Sequence, residues 1–269
     1  MTTHDGCQLP PPEWAELNRT LAFGDATARA RVAPFPPVAL MQNVSGLTNE
    51  QDFASHGADF WLAFSASAPK PLAEYATVLD FGCGCGRMAR MLKGHPGRVF
   101  GCDIDERHIR WIGEHLPYVE ATQTQPDHPL PYATASMDLV ISISVFTHLN
   151  ERSQDILLSE LHRVSRPGGT LMLTIHGERA LERVRTEQRI WDMVSIDRGR
   201  FEEACRQFAA GRHAFVLQQG HLTTAAFQYG ITFVPGSYVA NHWGRWFDVR
   251  RHVSGALHDF QDLLVLEPR

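Results

Sequence analysis

The sequence predicts an α/β fold built on a mostly parallel sheet, and three observations carry that reading. Between residues 77 and 175, short apolar runs of strand length alternate with stretches of helical periodicity. That alternation is the mark of consecutive right-handed βαβ units. Helix starts and stops fall between the runs: Asp105 and Asn150 stand ahead of apolar stripes, and Pro167-Gly168-Gly169 follows one. The chain has 269 residues, of which 43% are hydrophobic and 20% charged, enough to cover such a sheet on both faces without a disulfide or metal staple.

The elements follow in order. Prolines at 10–12, 34, 36 and 37 favour extended chain through residues 1–46, around a short helix at 13–21. Thr48 with Gln51 forms a capping-box pattern ahead of a helix whose apolar face is Phe53, Phe60, Trp61 and Phe64; Pro69 and Pro71 end it. Residues 77–81 read as a strand, and Met88, Met91 and Leu92 as one stripe of a helix. A strand at 98–102 follows, then a helix with Ile109, Ile112 and Leu116, and a strand at 118–122. Residues 137–143 form a strongly apolar strand, Leu157, Leu161 and Val164 a helical stripe, and 170–175 a fifth strand. Beyond it, 178–194 and 200–211 read as helical, and 232–234 and 262–266 as strands. Residues 1–72 read as an N-terminal helical and irregular lid and 73–269 as one domain, with 177–258 a largely helical insertion. The stretches 1–70 and 177–258 are expected to cover the ligand face. No repeat, low-complexity tract or interdomain linker is visible.

Composition narrows the function classes. A formal net charge of −5 lacks the footprint of a nucleic-acid binder and the basic clusters that dock on anionic membranes. The longest apolar run, 139–146, is strand-sized and broken by Ser142 and Ser144, so no membrane span is expected. The polar, proline-rich residues 1–12 do not read as a secretory signal. The five cysteines (Cys7, Cys83, Cys85, Cys102, Cys205) form no CxxC pair and read as reduced thiols of a cytoplasmic protein. Cys83 and Cys85 sit inside a turn with Cys102 the nearest further thiol, which favours small residues beside a ligand over a tetrahedral metal site. None of the 14 histidines pair as HxxxH. No metal is expected.

The chemistry concentrates at residues 78–87, where a strand runs into a glycine turn and then a helix. Gly82, Gly84 and Gly86, with Cys83 between them, let a ligand approach backbone N–H groups, and a helix N-terminus behind the turn would favour negative charge. Asp103 ends the next strand, where a carboxylate accepts ribose hydroxyls in nucleotide-binding folds. Together they predict an adenosine-containing ligand. The dinucleotide fingerprint GxGxxG would need a glycine at position 87, which is Arg87. The spacing found is GxGxG, and with Asp80 it reads DxGxGxG.

In this motif the sequence resembles the class I S-adenosylmethionine-dependent methyltransferases. Four further blocks follow in the family's order: Gly101-Cys102-Asp103-Ile104-Asp105, Leu130-Pro131-Tyr132 with Met137-Asp138, Phe146-Thr147-His148-Leu149, and Leu161 through Pro167-Gly168-Gly169 to Leu171. The likeness covers residues 75–176 and a last strand at 261–266. A nicotinamide-dependent Rossmann enzyme and a purely structural glycine turn are the competing readings.

The resemblance implies a Rossmann-like seven-stranded, mostly parallel sheet with helices on both faces, and S-adenosylmethionine as cofactor. It implies that the backbone around Gly82, Cys83, Gly84 and Gly86 holds the methionine part, that Asp80 orders the turn, that Asp103 grips the ribose and that Ile104 packs on adenine. Gln123, Gln125 and Asp127 are the candidates for a polar adenine contact, with Gln125 carried forward. Ser142 and Ser144 lie either beside the cofactor or in strand packing. Arg87 meets either a carboxylate or solvent.

Methyl transfer is an in-line displacement, for which alignment and desolvation matter most. A hydroxyl acceptor benefits from a general base, and His148, then His176, are the candidates; for each, the competing role is a structural bond to a backbone carbonyl. The Asn/Asp-Pro-Pro-aromatic motif of amino-methylating nucleic-acid enzymes is replaced by Ser142-Ile143-Ser144-Val145-Phe146-Thr147, and no Pro-Cys dipeptide exists. Trp191, Phe201, Phe227, Tyr229, Tyr238, Trp243, Trp246 and Phe247, with Phe60 and Trp61, either line an apolar acceptor pocket or fill the core. The reading is O- or N-methylation of a small molecule, with no nucleic-acid or membrane partner and a homodimer open. An inactive cofactor-binding regulator and a protein methyltransferase are the alternatives.

Overall fold

The structure, a computed structural model, describes residues 5–126, 128–218 and 228–269. Asp127 and Phe227, singled out above, lie outside the described residues. The chain divides into two compact units, Met1–Gln125 with Met137–Ile141, and Pro126–Ser136 with Ser142–Arg269.

The first unit opens with helices. α1 (Pro11–Glu16) has prolines in its first turn, where a missing N–H costs nothing, and passes into a π-helical turn at Leu17–Leu21. Short helices α2 (Ala22–Gly24) and α3 (Ala26–Arg31) follow, the latter capped by Asp25. α4 (Val38–Ser45) ends at Gly46 in the left-handed conformation. α5 (Glu50–Ser67) buries Phe53, Phe60, Trp61 and Phe64, as their spacing predicts. Its cap differs from the expectation: Asn49, not Thr48, accepts the N–H of Asp52 at 2.8 Å. Asparagine is the stronger capping residue, so the start moves by one.

Strand β1 (Thr77–Phe81) leads into the glycine turn. The helix expected on Met88, Met91 and Leu92 is instead a short 3-10 segment, Ala89–Leu92. Gly94 and Pro96 follow at once, which leaves too few residues to propagate an α-helix. A helix dipole behind the turn is therefore not part of this site. β2 (Arg98–Asp103), α6 (Glu106–His115, capped by Asp105), β3 (Val119–Gln123) and β4 (Met137–Ser142) complete the unit. β1 pairs in parallel with β2 and β4, and β2 with β3. Thr77 and Asp138 lock the β1–β4 register at its start: Asp138 Oδ2 accepts the Thr77 N–H at 3.0 Å, and Thr77 Oγ1 accepts the Asp138 N–H at 2.9 Å.

The second unit contains α7 (Glu151–Val164), capped by Asn150, and β5 (Ser165–Ile175). The expected helix at 178–194 is two: α8 (Glu178–Thr186) and α9 (Gln188–Val194), parted at Glu187, whose side chain pairs with Arg183. α10 (Arg198–Ala209) starts earlier than expected because Asp197 caps it. Next come β6 (Ala214–Leu217), β7 (Gly230–Phe233), α11 (Gly236–His242), β8 (Phe247–Leu257) and β9 (Gln261–Pro268). β6 and β7 form a separate antiparallel ladder. β8 falls within the region read as helical. It is a polar outer strand with Asp248, Arg250, Arg251 and His252 in its middle, a composition that hides a strand at a sheet edge.

Seven strands form one mostly parallel sheet in the order β3-β2-β1-β4-β5-β9-β8, with β9 antiparallel to both β5 and β8. Most of the aromatics at 177–258 are core: Phe201 joins Val184, Ile190, Val216 and Phe233 in one cluster, and Trp243 and Phe247 are fully buried. Among the described residues no helix is long and apolar enough to cross a membrane.

Candidate cofactor and acceptor sites

The glycine turn is built from backbone bonds. Gly82 N and Cys83 N both donate to Cys102 O, at 2.8 and 3.0 Å, and Gly86 N donates to Cys83 O at 2.9 Å. Gly82, Gly84 and Gly86 all have positive φ, of 70°, 52° and 86°. At Gly84 space is also limiting, because a Cβ there would stand 2.9 Å from the Val44 methyls of α4.

Asp103 binds this turn to the next element. Its Oδ2 accepts Gly84 N at 2.8 Å and its Oδ1 accepts Asp105 N at 2.9 Å, so one carboxylate links the turn to the head of α6. Beside it Ile104, an apolar side chain, is 41% exposed. The structure thus brings Asp80, Gly82, Cys83, Gly84, Gly86, Asp103 and Ile104 together at the carboxyl ends of β1 and β2. Gln125 lies exposed beyond β3. Gln123 is the glutamine that reaches back, donating to Ile104 O at 3.2 Å.

Asp80 is buried under the turn, and its Oδ2 has no partner among the described residues. Burial pushes its carboxyl up to about 7, against the pull of the Ala89 N–H and of Arg87. Arg87 is half-buried: its guanidinium lies over the Phe60 ring at 4.6 Å, and burial lowers it to about 10 against the pull of Cys85 and Asp80. Burial likewise pushes the Cys85 thiol to about 12 and Cys83 well upward, which keeps both neutral and unreactive. Among the described residues no three His, Cys, Asp or Glu side chains are grouped to hold a metal ion.

In the second unit, Ser142 is buried with its hydroxyl unpartnered. Ser144 has a φ of +60°, unusual for a residue with a side chain. Thr174 Oγ1 accepts its N–H at 2.8 Å, and Gln261 Nε2 donates to its hydroxyl at 2.8 Å. Its side chain is thus engaged by β9.

The structure brings His148 and His176 together, ring centroids 6.3 Å apart and edge to face. Each sets Nδ1 against a carbonyl of β7: Gly230 O at 2.7 Å and Thr232 O at 3.2 Å. These carbonyls are two residues apart and so point the same way. An Nδ1–H donated there leaves Nε2 as the basic nitrogen. His176 is buried between Phe233 and Phe260, and burial first, then His148, drives it down to about 3. It stays neutral and is a poor proton acceptor. His148 is only half-buried and stacks on Tyr229 at 4.3 Å.

Sequence reasoning missed a carboxylate–imidazole pair here. Asp262, fully buried, accepts His252 Nε2 at 2.7 Å and Gly255 N at 2.8 Å. Asp262 holds His252 above the usual imidazole range. Gly177, next to His176, permits this approach, since a Cβ there would lie 2.0 Å from Asp262 Oδ2. The positive-φ Gly255 and the His258-Asp259 turn were the available signals for the β8–β9 hairpin.

Residues 78–169 match the family model of a methyltransferase domain. The chain is 34% identical over 97 residues to a probable S-adenosylmethionine-dependent methyltransferase of Mycolicibacterium smegmatis. The chain carries a class I S-adenosylmethionine-dependent methyltransferase domain. The M. smegmatis match covers 36% of this chain and 37% of that protein. A trans-aconitate 2-methyltransferase of Azoarcus sp. is 35% identical over 105 residues, 38% of this chain and 40% of that one. A tRNA N(3)-methylcytidine methyltransferase of Drosophila melanogaster is 28% identical over 142 residues, 46% of this chain and 44% of that one. The chain thus spans about two fifths of the length of the curated relatives it matches. A Pyrococcus horikoshii protein of known crystal structure shares the fold at a TM-score of 0.62 and 18% identity, over 85% of this chain and 96% of that one.

The residues of the methyltransferase domain fit its cofactor. A buried carboxylate oxygen without a partner, on Asp80, suits a ligand that carries positive charge. Beside Asp103 the exposed Ile104 offers an apolar face.

Proposed function

We propose that the chain transfers a methyl group from S-adenosylmethionine to a small-molecule acceptor, at oxygen or nitrogen. The observation that carries this reading is Asp103. Its carboxylate is fixed by two backbone donors, one of them in the glycine turn, and exposed Ile104 stands next to it.

In this reading the turn at Gly82–Gly84 and Asp80 hold the charged methionine end, Asp103 receives the ribose hydroxyls, and Ile104 covers one face of the adenine. When bound, the cofactor supplies an electrophilic methyl on a sulfonium. The chain's own residues bind it, orient it and exclude water. For a hydroxyl acceptor, His148 takes the proton: its Nδ1 stays on Gly230 O, Tyr229 supports the ring, and the proton goes to Nε2. His176, neutral and buried, packs behind it. His252, held by Asp262, is the second group able to accept a proton. A net charge of −5 favours a small acceptor over a nucleic acid.

Titration calorimetry with S-adenosylhomocysteine, followed by a mass-shift screen of small hydroxyl- and amine-bearing metabolites with a tRNA arm, tests the reading. Micromolar binding and a gain of one methyl on a small molecule are expected. Absence of binding overturns the cofactor reading, and methylation confined to the tRNA arm overturns the acceptor class.

A further inference from the structure

His108 stands beside Asp103 and has no role in the function proposed above. It lies on α6, 4% exposed, and neither ring nitrogen has a hydrogen-bond partner among the described residues. Leaving a buried polar group in that condition is unfavourable, and an aliphatic side chain would fill the same space without the penalty. A histidine here therefore calls for a chemical reason.

Two carboxylates are close by. Asp105 already has a cation, because the Arg107 guanidinium binds both of its oxygens. Asp103 has backbone donors on both oxygens, and the basic side chain beside it is His108, with Nδ1 at 3.7 Å from Oδ1. That is ion-pair distance, just beyond a hydrogen bond. The Asp103 side chain is itself mostly enclosed, 14% exposed, so an imidazole beneath it acts through little solvent. The backbone of His108 is fixed as well, since its N–H donates to Asp105 O at 3.1 Å in the first turn of α6.

We infer that His108 is a positioning residue for Asp103: its Nδ1, 3.7 Å from Oδ1, backs the carboxylate and holds the plane in which ribose hydroxyls are received. This rests on the cofactor reading proposed above. The carboxylate then has three fixed supports, two from backbone and one from a side chain. The two donated N–H bonds set its direction, and the imidazole opposes its rotation when hydroxyls compete for the same oxygens. His108 touches no ligand in this scheme; its effect passes through Asp103.

A double-mutant cycle read by calorimetric titration with S-adenosylhomocysteine tests this. His108→Leu is expected to weaken binding about tenfold, and His108→Gln, which keeps a donor, to remain within about threefold of wild type. In an Asp103→Asn background, the His108→Leu change is expected to shift Kd by less than about twofold, because its target is already lost. The His108 imidazole resonance is also expected to move on ligand addition, a change that simple packing would not produce. Equal losses in both backgrounds, or undiminished affinity in His108→Leu, overturn the inference. Should His108→Leu fail to fold by circular dichroism, His108→Ala, which also removes the donor, carries the same cycle. If wild type itself does not bind S-adenosylhomocysteine, it is the cofactor reading that fails.

Discussion

The cofactor region of the first unit and the histidine cluster of the second solve the same problem, placing polar groups with precision, by different means. Around Gly84 the work is done by backbone. N–H groups and one carboxylate meet within about twenty residues of sequence, and the conformations are enforced by positive φ. Around His148 the work is done by long-range side-chain contacts: His148 leans on Gly230, Ser144 on Gln261, and His252 on Asp262. A ligand end that does not vary suits the first design. A variable acceptor suits the second, because such side chains can change without disturbing the turn.

Four experiments press on that contrast. His148→Ala is expected to lower turnover by roughly 10²–10⁴-fold while leaving S-adenosylhomocysteine affinity unchanged; equal loss of both would erase the division between the regions. Gly84→Val should weaken cofactor binding on the order of a hundredfold, since the new side chain meets Val44 and the left-handed backbone resists it. Calorimetry beside a melting curve separates that loss from unfolding. Asp103→Ala should cost about 1–3 kcal/mol of cofactor affinity through lost charge-assisted bonds, with turnover at saturating cofactor nearly kept.

The smallest effect is a pH dependence. In the free protein Asp80 titrates near 7, above its ordinary value, so its contribution to folding stability is greatest at low pH and fades as pH rises through 7. A cationic ligand favours the ionised form, so affinity for S-adenosylmethionine should rise about tenfold from pH 6 to pH 8, and Asp80→Asn should flatten that rise. A flat wild-type profile would remove Asp80 from the binding site.

What could be read in the sequence follows the same divide. The glycine turn and Asp103 were legible because turn chemistry and strand ends are local properties. β1, β2, β4 and β5 were legible as apolar runs. The 3-10 segment in place of a helix was not, because Arg90 in its middle bonds to carbonyls more than fifty residues away in sequence. β8 was hidden by charged residues on an outer strand. Ser144 was placed near the cofactor on strand order alone, and only the paired β9 shows that its hydroxyl is engaged by Gln261. Arg87 offered no sequence signal for its seat on Phe60, which arrives from α5.

Arg90 carries one more consequence. It is fully buried, donates to Ala33 O at 2.6 Å and Pro34 O at 2.7 Å, and rests on Phe35. Trimming the chain to its family-matched segment would strip this guanidinium of both oxygens and of the Phe35 ring it rests on. The leading helices and the sheet of the first unit are thus expected to melt together in a thermal scan, and a shortened version should be sought by replacing Arg90 rather than by cutting alone.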